Sequence, residues 1–142
     1  MAKSVLANLY TDLVTMMKNV IESKYIFLKD RPKISDGSAP MSKFAVIDLP
    51  IAIEDITKGK KKRMLATTGV FYLFTQARSN GTLDVNVTGD FTDDVVDLFP
   101  YKGNCCSVSD PIVRMEGNDE NGFQVVVISF DLQTKWEVFN QT

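Results

Sequence analysis

The stretch that constrains this chain most runs from Lys58 to Ala77, KGKKKRMLATTGVFYLFTQA, where a knot of positive charge passes without a break into β-branched and aromatic residues. Apolar, β-branched runs of this kind read as strands, so the pattern predicts a hairpin tip feeding the central strand of a sheet. Extended at about 3.3 Å per residue, residues 62–77 would span roughly 50 Å. A compact domain of this size has a radius of gyration near ~14 Å and hence a diameter of roughly 37 Å. The strand is therefore expected to outrun the body. Unless a bulge at Gly69 folds it back, its basic end projects as an arm, around residues 54–66, that needs a surface outside the monomer to lie on.

Around that strand, the 142 residues are expected to form one α+β domain, residues 1–142, large enough to bury about two thirds of the surface its unfolded chain exposes. A net charge of −2 is neither the profile of a strongly basic nucleic-acid binder nor that of an acidic tail, so partners must be sought in local charge. Cys105 and Cys106 are adjacent, a spacing that strains any disulfide between them and matches neither a zinc knuckle nor a redox pair. A reducing compartment follows. The first residues, MAKSVLANLYTDLV, lack the continuous apolar region of a signal peptide, and no window approaches a membrane span.

Before the central strand, Val5, Leu6, Leu9, Tyr10, Leu13, Val14, Met17, Val20 and Ile21 recur at helical steps, predicting an amphipathic helix over 4–22 with Ser4 as N-cap. Tyr25 to Leu28 predicts a short strand closed by KDRP, and residues 33–42 a loop rich in Gly, Pro, Asp and Ser. Lys43 to Ile53 predicts a second strand, with Pro50 marking an edge or bulge, antiparallel to the long one. Both alternation sets of the long strand are apolar from Val70 to Phe74, which predicts cover on both faces of the sheet, by helices or by another subunit.

Beyond the turn at 79–81, Leu83, Val87, Phe91, Val95 and Leu98 predict a second helix, weakened by Gly89 and stopped by Pro100. Its opposite face carries Asp84, Asp90, Asp93, Asp94 and Asp97. Lys102 to Asp110 reads as irregular, Pro111 to Met115 as a short strand, GNDENG as a turn, and Phe123 to Leu132 as a strong strand continued by the tail. The predicted order is α-β-β-β-α-β-β, a mainly antiparallel sheet with a long protruding β-hairpin and two helices.

The chain has no histidine, which removes the usual triads, imidazole metal sites and the commonest general base. The helix carboxylates Asp90, Asp93, Asp94 and Asp97 have spacings at which a divalent cation can be gathered, but charge runs of this kind ordinarily face water. No glycine-rich phosphate loop is present. The chain is expected not to be an enzyme, with no catalytic, cofactor-binding or metal-binding residue assigned and no cofactor.

The basic cluster Lys58, Lys60, Lys61, Lys62 and Arg63 has two readings. It is a solvated hairpin tip whose charge keeps a sheet edge from sticking, or a contact surface for phosphates or for the acidic helix of a neighbouring copy. The arm length and the match of basic to acidic residues favour the neighbour.

This order of elements resembles the tail-terminator and neck-ring proteins of tailed bacteriophages. The pieces that carry the resemblance are SVLANLYTDLVTMMKNVIE, YIFLKDRP, the hairpin from Lys43 to Ala77, FTDDVVDLFP and GFQVVVISFDL. The resemblance implies a structural virion protein whose copies assemble head to tail into a homo-oligomeric ring at the head–tail junction, beside portal and tail proteins. It further implies sheets pairing across subunits and a bore that passes DNA, in which any inward-pointing basic side chain would meet phosphates without sequence preference. The protein would be made in the host cytoplasm, with no membrane partner. The alternative is a cytoplasmic module holding a small ligand or peptide between helix and sheet, with Met16, Met17, Met41 and Met64 as adaptable walls. A metal-dependent hydrolase built on the helix carboxylates is the third reading.

Overall fold

The computed structural model describes residues 5–29, 42–49, 54–55, 65–78, 81–118 and 122–134. In chain order these form helix α1 (Val5–Met17), a 3-10 turn (Ser23–Tyr25), strands β1 (Ile26–Leu28), β2 (Lys43–Asp48), β3 (Glu54–Asp55) and β4 (Leu65–Gln76), helix α2 (Val85–Val96), and strands β5 (Tyr101–Lys102), β6 (Cys106–Asn118) and β7 (Phe123–Thr134). The fold is α+β. Its mixed sheet runs β1-β2-β4-β7-β6-β5, with β3 pairing β4 beyond the end of β2. Only the β1–β2 pair is parallel among the described strands. Ser4, residues 30–41, Pro50 to Ile53, the hairpin tip 56–64, Ser79, Asn80, the centre of the GNDENG turn and the tail from 135 lie outside the described residues, as do Met41 and Met64.

The strand foreseen as central is central. β4 pairs with β7 in unbroken register from Ala66 to Gln76 and on its other side with β2 and β3. There is no bulge at Gly69. Its partner β7 is equally long, 12 residues in each strand, so the described part of β4 is held inside the sheet from end to end. Gly69 lies opposite Phe130, and the ring of Phe130 occupies the space a side chain would take: a Cβ built on Gly69 would stand 2.5 Å from two of its ring carbons.

Both helices cover the same face. Leu9, Leu13, Met16 and Met17 of α1 and Phe91 and Val95 of α2 form one core with Ala45, Ile47, Phe71, Leu73, Val126, Ile128, Phe130 and Leu132. Each fully buried large side chain there is worth roughly 1.5–3 kcal/mol. The other face carries a separate aromatic cluster of Phe44, Val46, Phe74 and Phe123 with Phe27, Tyr72 and Val125 packed against it; the Phe44 and Phe74 rings stack at 4.5 Å. The two-sided apolarity of β4 is thus real, but among the described residues no α-helix packs into the second cluster.

Three details of the expected elements change. α1 ends at Met17, because Lys18 to Val20 turn out of the helix. The core face of α2 is Thr88, Phe91 and Val95, whereas Val87 stays 42% exposed. Thr88 is buried because its hydroxyl meets that of Thr75 on β4 at 2.7 Å. The segment from Lys102 to Asp110 is not irregular: it holds β5 and the first part of β6, which runs on through Pro111. Gly89 sits in α2 with open space where a Cβ would be. Replacing it with alanine is expected to raise unfolding free energy by about 0.5–1 kcal/mol, since glycine costs that much in a helix interior. Urea denaturation of Gly89→Ala checks this.

Candidate assembly surface

The strand order leaves β6 near one margin of the sheet. β5 pairs only with Ser107 and Val108, so beyond Val108 the outer side of β6 has no strand partner among the described residues. That margin is unusually apolar: Ile112, Val113 and Met115 are 67%, 44% and 52% exposed. Unpaired edges invite pairing with another chain, and proteins normally blunt them. Here the blunting is partial. Register shifts fall between Ser109 and Ile112 and between Met115 and Gly117, with Asp110 and Gly117 at positive φ. Pro111, lacking an N–H, fits the first irregularity without losing a ladder bond. Arg114 and Glu116 pair with each other at 2.6 Å.

Two of the hollows beside the sheet lie at its margins. One is an open, mainly apolar groove of about 570 Å³ at the β1 margin, walled by Ala7, Tyr10 and Val14 of α1, by Lys18 just past the end of that helix and by Leu28 of β1. The Tyr10 hydroxyl accepts the Leu49 N–H at 3.3 Å, tying this wall to the chain beyond β2. The other, of about 530 Å³, lies between the end of α2 and the first irregularity of β6, among Asp97, Phe99, Pro100 and Asp110.

One buried carboxylate links α1 to the start of β6. Asp12, 5% exposed, accepts backbone N–H groups from Asn104 (3.3 Å), Cys105 (2.7 Å) and Cys106 (3.0 Å). Gly103 lets this loop close on it: a Cβ there would sit 2.6 Å from the carboxylate oxygen. Successive backbone N–H groups make an anion-binding concavity, and here the anion is supplied by the protein's own helix. Sequence reading passed over Asp12. The visible signal was a carboxylate on the same helical stripe as Leu9, Leu13 and Met16.

The expected site residues fall as follows. Lys58, Lys60, Lys61, Lys62 and Arg63 lie outside the described residues. Asp90, Asp93 and Asp94 are exposed on α2. Asp84 and Asp97 are the capping residues of that helix, the Asp84 carboxylate accepting the Val87 N–H at 3.3 Å, so Asp84 has a local task of its own. Among the described residues no group of three or more His, Cys, Asp or Glu side chains is placed to hold a metal ion. Cys106 is buried and Cys105 half-buried. Lys24, fully exposed, has its pKa raised by neighbouring Tyr25 and then by Glu22.

Met16 and Met17, envisaged as walls of a ligand pocket between helix and sheet, are fully buried core. Among the described residues no helix is long and apolar enough to cross a membrane. No family model matches the chain, and no curated protein matches it either.

Proposed function

We propose that this chain is a structural virion protein of a tailed bacteriophage, the subunit of a homo-oligomeric ring at the head–tail junction, as neck or tail terminator, through which DNA passes. The observation that supports it best is the open margin of β6, with Ile112, Val113 and Met115 exposed on a strand that has no outer partner beyond Val108 among the described residues. A monomer gains nothing from leaving such an edge uncovered; in a head-to-tail ring every subunit offers one surface and receives another, and closure makes modest contacts sufficient.

In this reading the hairpin beyond β3 and β4, around residues 54–66, projects as an arm. Lys58, Lys60, Lys61, Lys62 and Arg63 at its tip meet either the carboxylates of α2 in the next copy or the phosphates of DNA in the bore. Portal and tail proteins lie above and below.

Light scattering coupled to size-exclusion chromatography tests the reading. A mass several times that of the 15.9 kDa chain, falling as salt rises, is expected. The triple replacement Lys60→Glu, Lys61→Glu and Lys62→Glu is expected to abolish assembly while leaving the far-UV circular dichroism unchanged. A chain that stays monomeric at high concentration and low salt overturns the ring; an unaffected oligomer in the triple variant removes the arm from the joint.

A further inference from the structure

The loop between β5 and β6 has the form of an anion receptor, and the chain fills it with a side chain of its own. We propose that residues 103–106 are a carboxylate-binding site whose tethered resident ligand is Asp12 of α1, and that a small free carboxylate takes the same place when the Asp12 side chain is withdrawn. The site is independent of the oligomeric state.

The loop is closed by bonds that do not involve Asp12. Tyr101 and Lys102 pair with Val108 and Ser107, and the Gly103 N–H donates to the Cys106 carbonyl at 2.7 Å. Within that closure the N–H groups of Asn104, Cys105 and Cys106 converge on one carboxylate. Successive N–H groups held this way form a concavity for an anion.

The donors also state which anion. Oδ1 of Asp12 accepts from Asn104 at 3.3 Å, while Oδ2 accepts from Cys105 at 2.7 Å and from Cys106 at 3.0 Å. A planar group with two oxygens meets all three donors, whereas a halide offers a single centre. Gly103 lies so close that a Cβ there would stand 2.6 Å from Oδ2, which disfavours the further oxygens of sulfate or phosphate.

The frame of the site does not depend on the carboxylate. Leu9, Leu13, Met16 and Met17 of the same helix are fully buried in the core that also holds Cys106, so α1 stays seated over the loop when Asp12 is shortened. Lys102 and Asn104 are exposed. The loop thus has a side open to solvent, with a cation next to it in sequence that favours the approach of an anion. In the unchanged chain the tether holds Asp12 at an effective concentration that free carboxylate does not match.

Rescue by small ions, on the full chain, tests this. Asp12→Ala keeps the Cβ and removes a group with the shape of formate. Urea unfolding of the variant is measured in sodium formate and in sodium chloride at equal ionic strength, beside the unchanged chain. An anion that binds only the folded state raises the folded-to-unfolded ratio by 1 + [L]/Kd, so a saturable gain of about threefold or more over chloride is expected in Asp12→Ala and none in the unchanged chain. Acetate, one carbon longer, is expected to give a smaller gain, and sulfate no more than it gives the unchanged chain. Adding Gly103→Ala places a methyl group where an oxygen of the anion sits and is expected to abolish the gain. In nuclear magnetic resonance spectra of Asp12→Ala, the amide signals of Asn104, Cys105 and Cys106 are expected to move with formate.

A variant that responds to formate no more than the unchanged chain does, or equally to sulfate, overturns the site. A gain that survives Gly103→Ala places the formate elsewhere and overturns it as well. If Asp12→Ala is unfolded in chloride, recovery of its circular dichroism in formate is the expected result, and failure to recover in formate overturns the site.

Discussion

Replacing Asp12 with alanine is expected to lower unfolding free energy by about 3 kcal/mol. The carboxylate is 5% exposed and accepts N–H groups from Asn104, Cys105 and Cys106. Hydrogen bonds to a charged group contribute about 1.5–3 kcal/mol each, and a buried donor left without an acceptor costs about 1–3 kcal/mol. Against this, alanine no longer has to keep a carboxylate out of water, a term that offsets several kcal/mol of the gross loss. The net stays unfavourable because three donors are abandoned for one desolvation relieved. Asp12→Asn keeps one acceptor oxygen and brings an NH₂ that faces donors; its loss is expected to be about 1–2 kcal/mol, as neutral bonds are weaker than charge-assisted ones. Chemical denaturation with the m-value held in common measures both. Losses under about 0.5 kcal/mol for both variants would mean that α1 is held by its apolar stripe alone.

Gly69→Ala should cost about 2 kcal/mol, in the range for overpacking a filled core. Alanine is otherwise favoured over glycine in an extended strand, so the sign of the change isolates the clash. The new Cβ would stand 2.5 Å from Cε2 and Cζ of Phe130 and 3.3 Å from a Leu49 methyl. Phe130 has little room to retreat: it is 1% exposed and packs against Phe71 at 4.6 Å and Phe99 at 5.4 Å between ring centres. Phe130→Leu shortens the obstructing side chain, so the double variant is expected to be more stable than the sum of the single changes predicts, by about 1 kcal/mol or more, the coupling typical of residues in contact. Strict additivity in a double-mutant cycle would show that the ring is not what excludes a side chain at Gly69.

These two sites mark where sequence reasoning reached and where it stopped. Gly69 stood out as a glycine inside a β-branched run, and a bulge was one reason for it. The structure supplies another, a ring from β7 laid over the bare backbone. Asp12 stood out less, since a lone carboxylate in a helix is ordinarily solvated. Its partners lie 92 to 94 residues away and are backbone N–H groups, which carry no side-chain signature. The β6 margin was hidden for a different reason. Asp110-Pro111 breaks the alternation, so a strand of 13 residues read as an irregular stretch followed by a short strand. A register irregularity absorbs the proline while pairing with β7 resumes at Ile112.

Residue periodicity was enough to establish that this chain has two amphipathic helices and a long two-sided apolar strand at the centre of a largely antiparallel sheet, because spacing at 3.6 or 2 residues reports which side chains seek burial. It does not report what buries them. That both helices settle on one face, that aromatic rings form a second cluster on the other, that Asp12 closes the β5–β6 loop, and that β6 is left with an uncovered margin were decided by tertiary pairing. Each depends on contacts between residues remote in sequence, selected by register and by the competition of whole elements for the same surface.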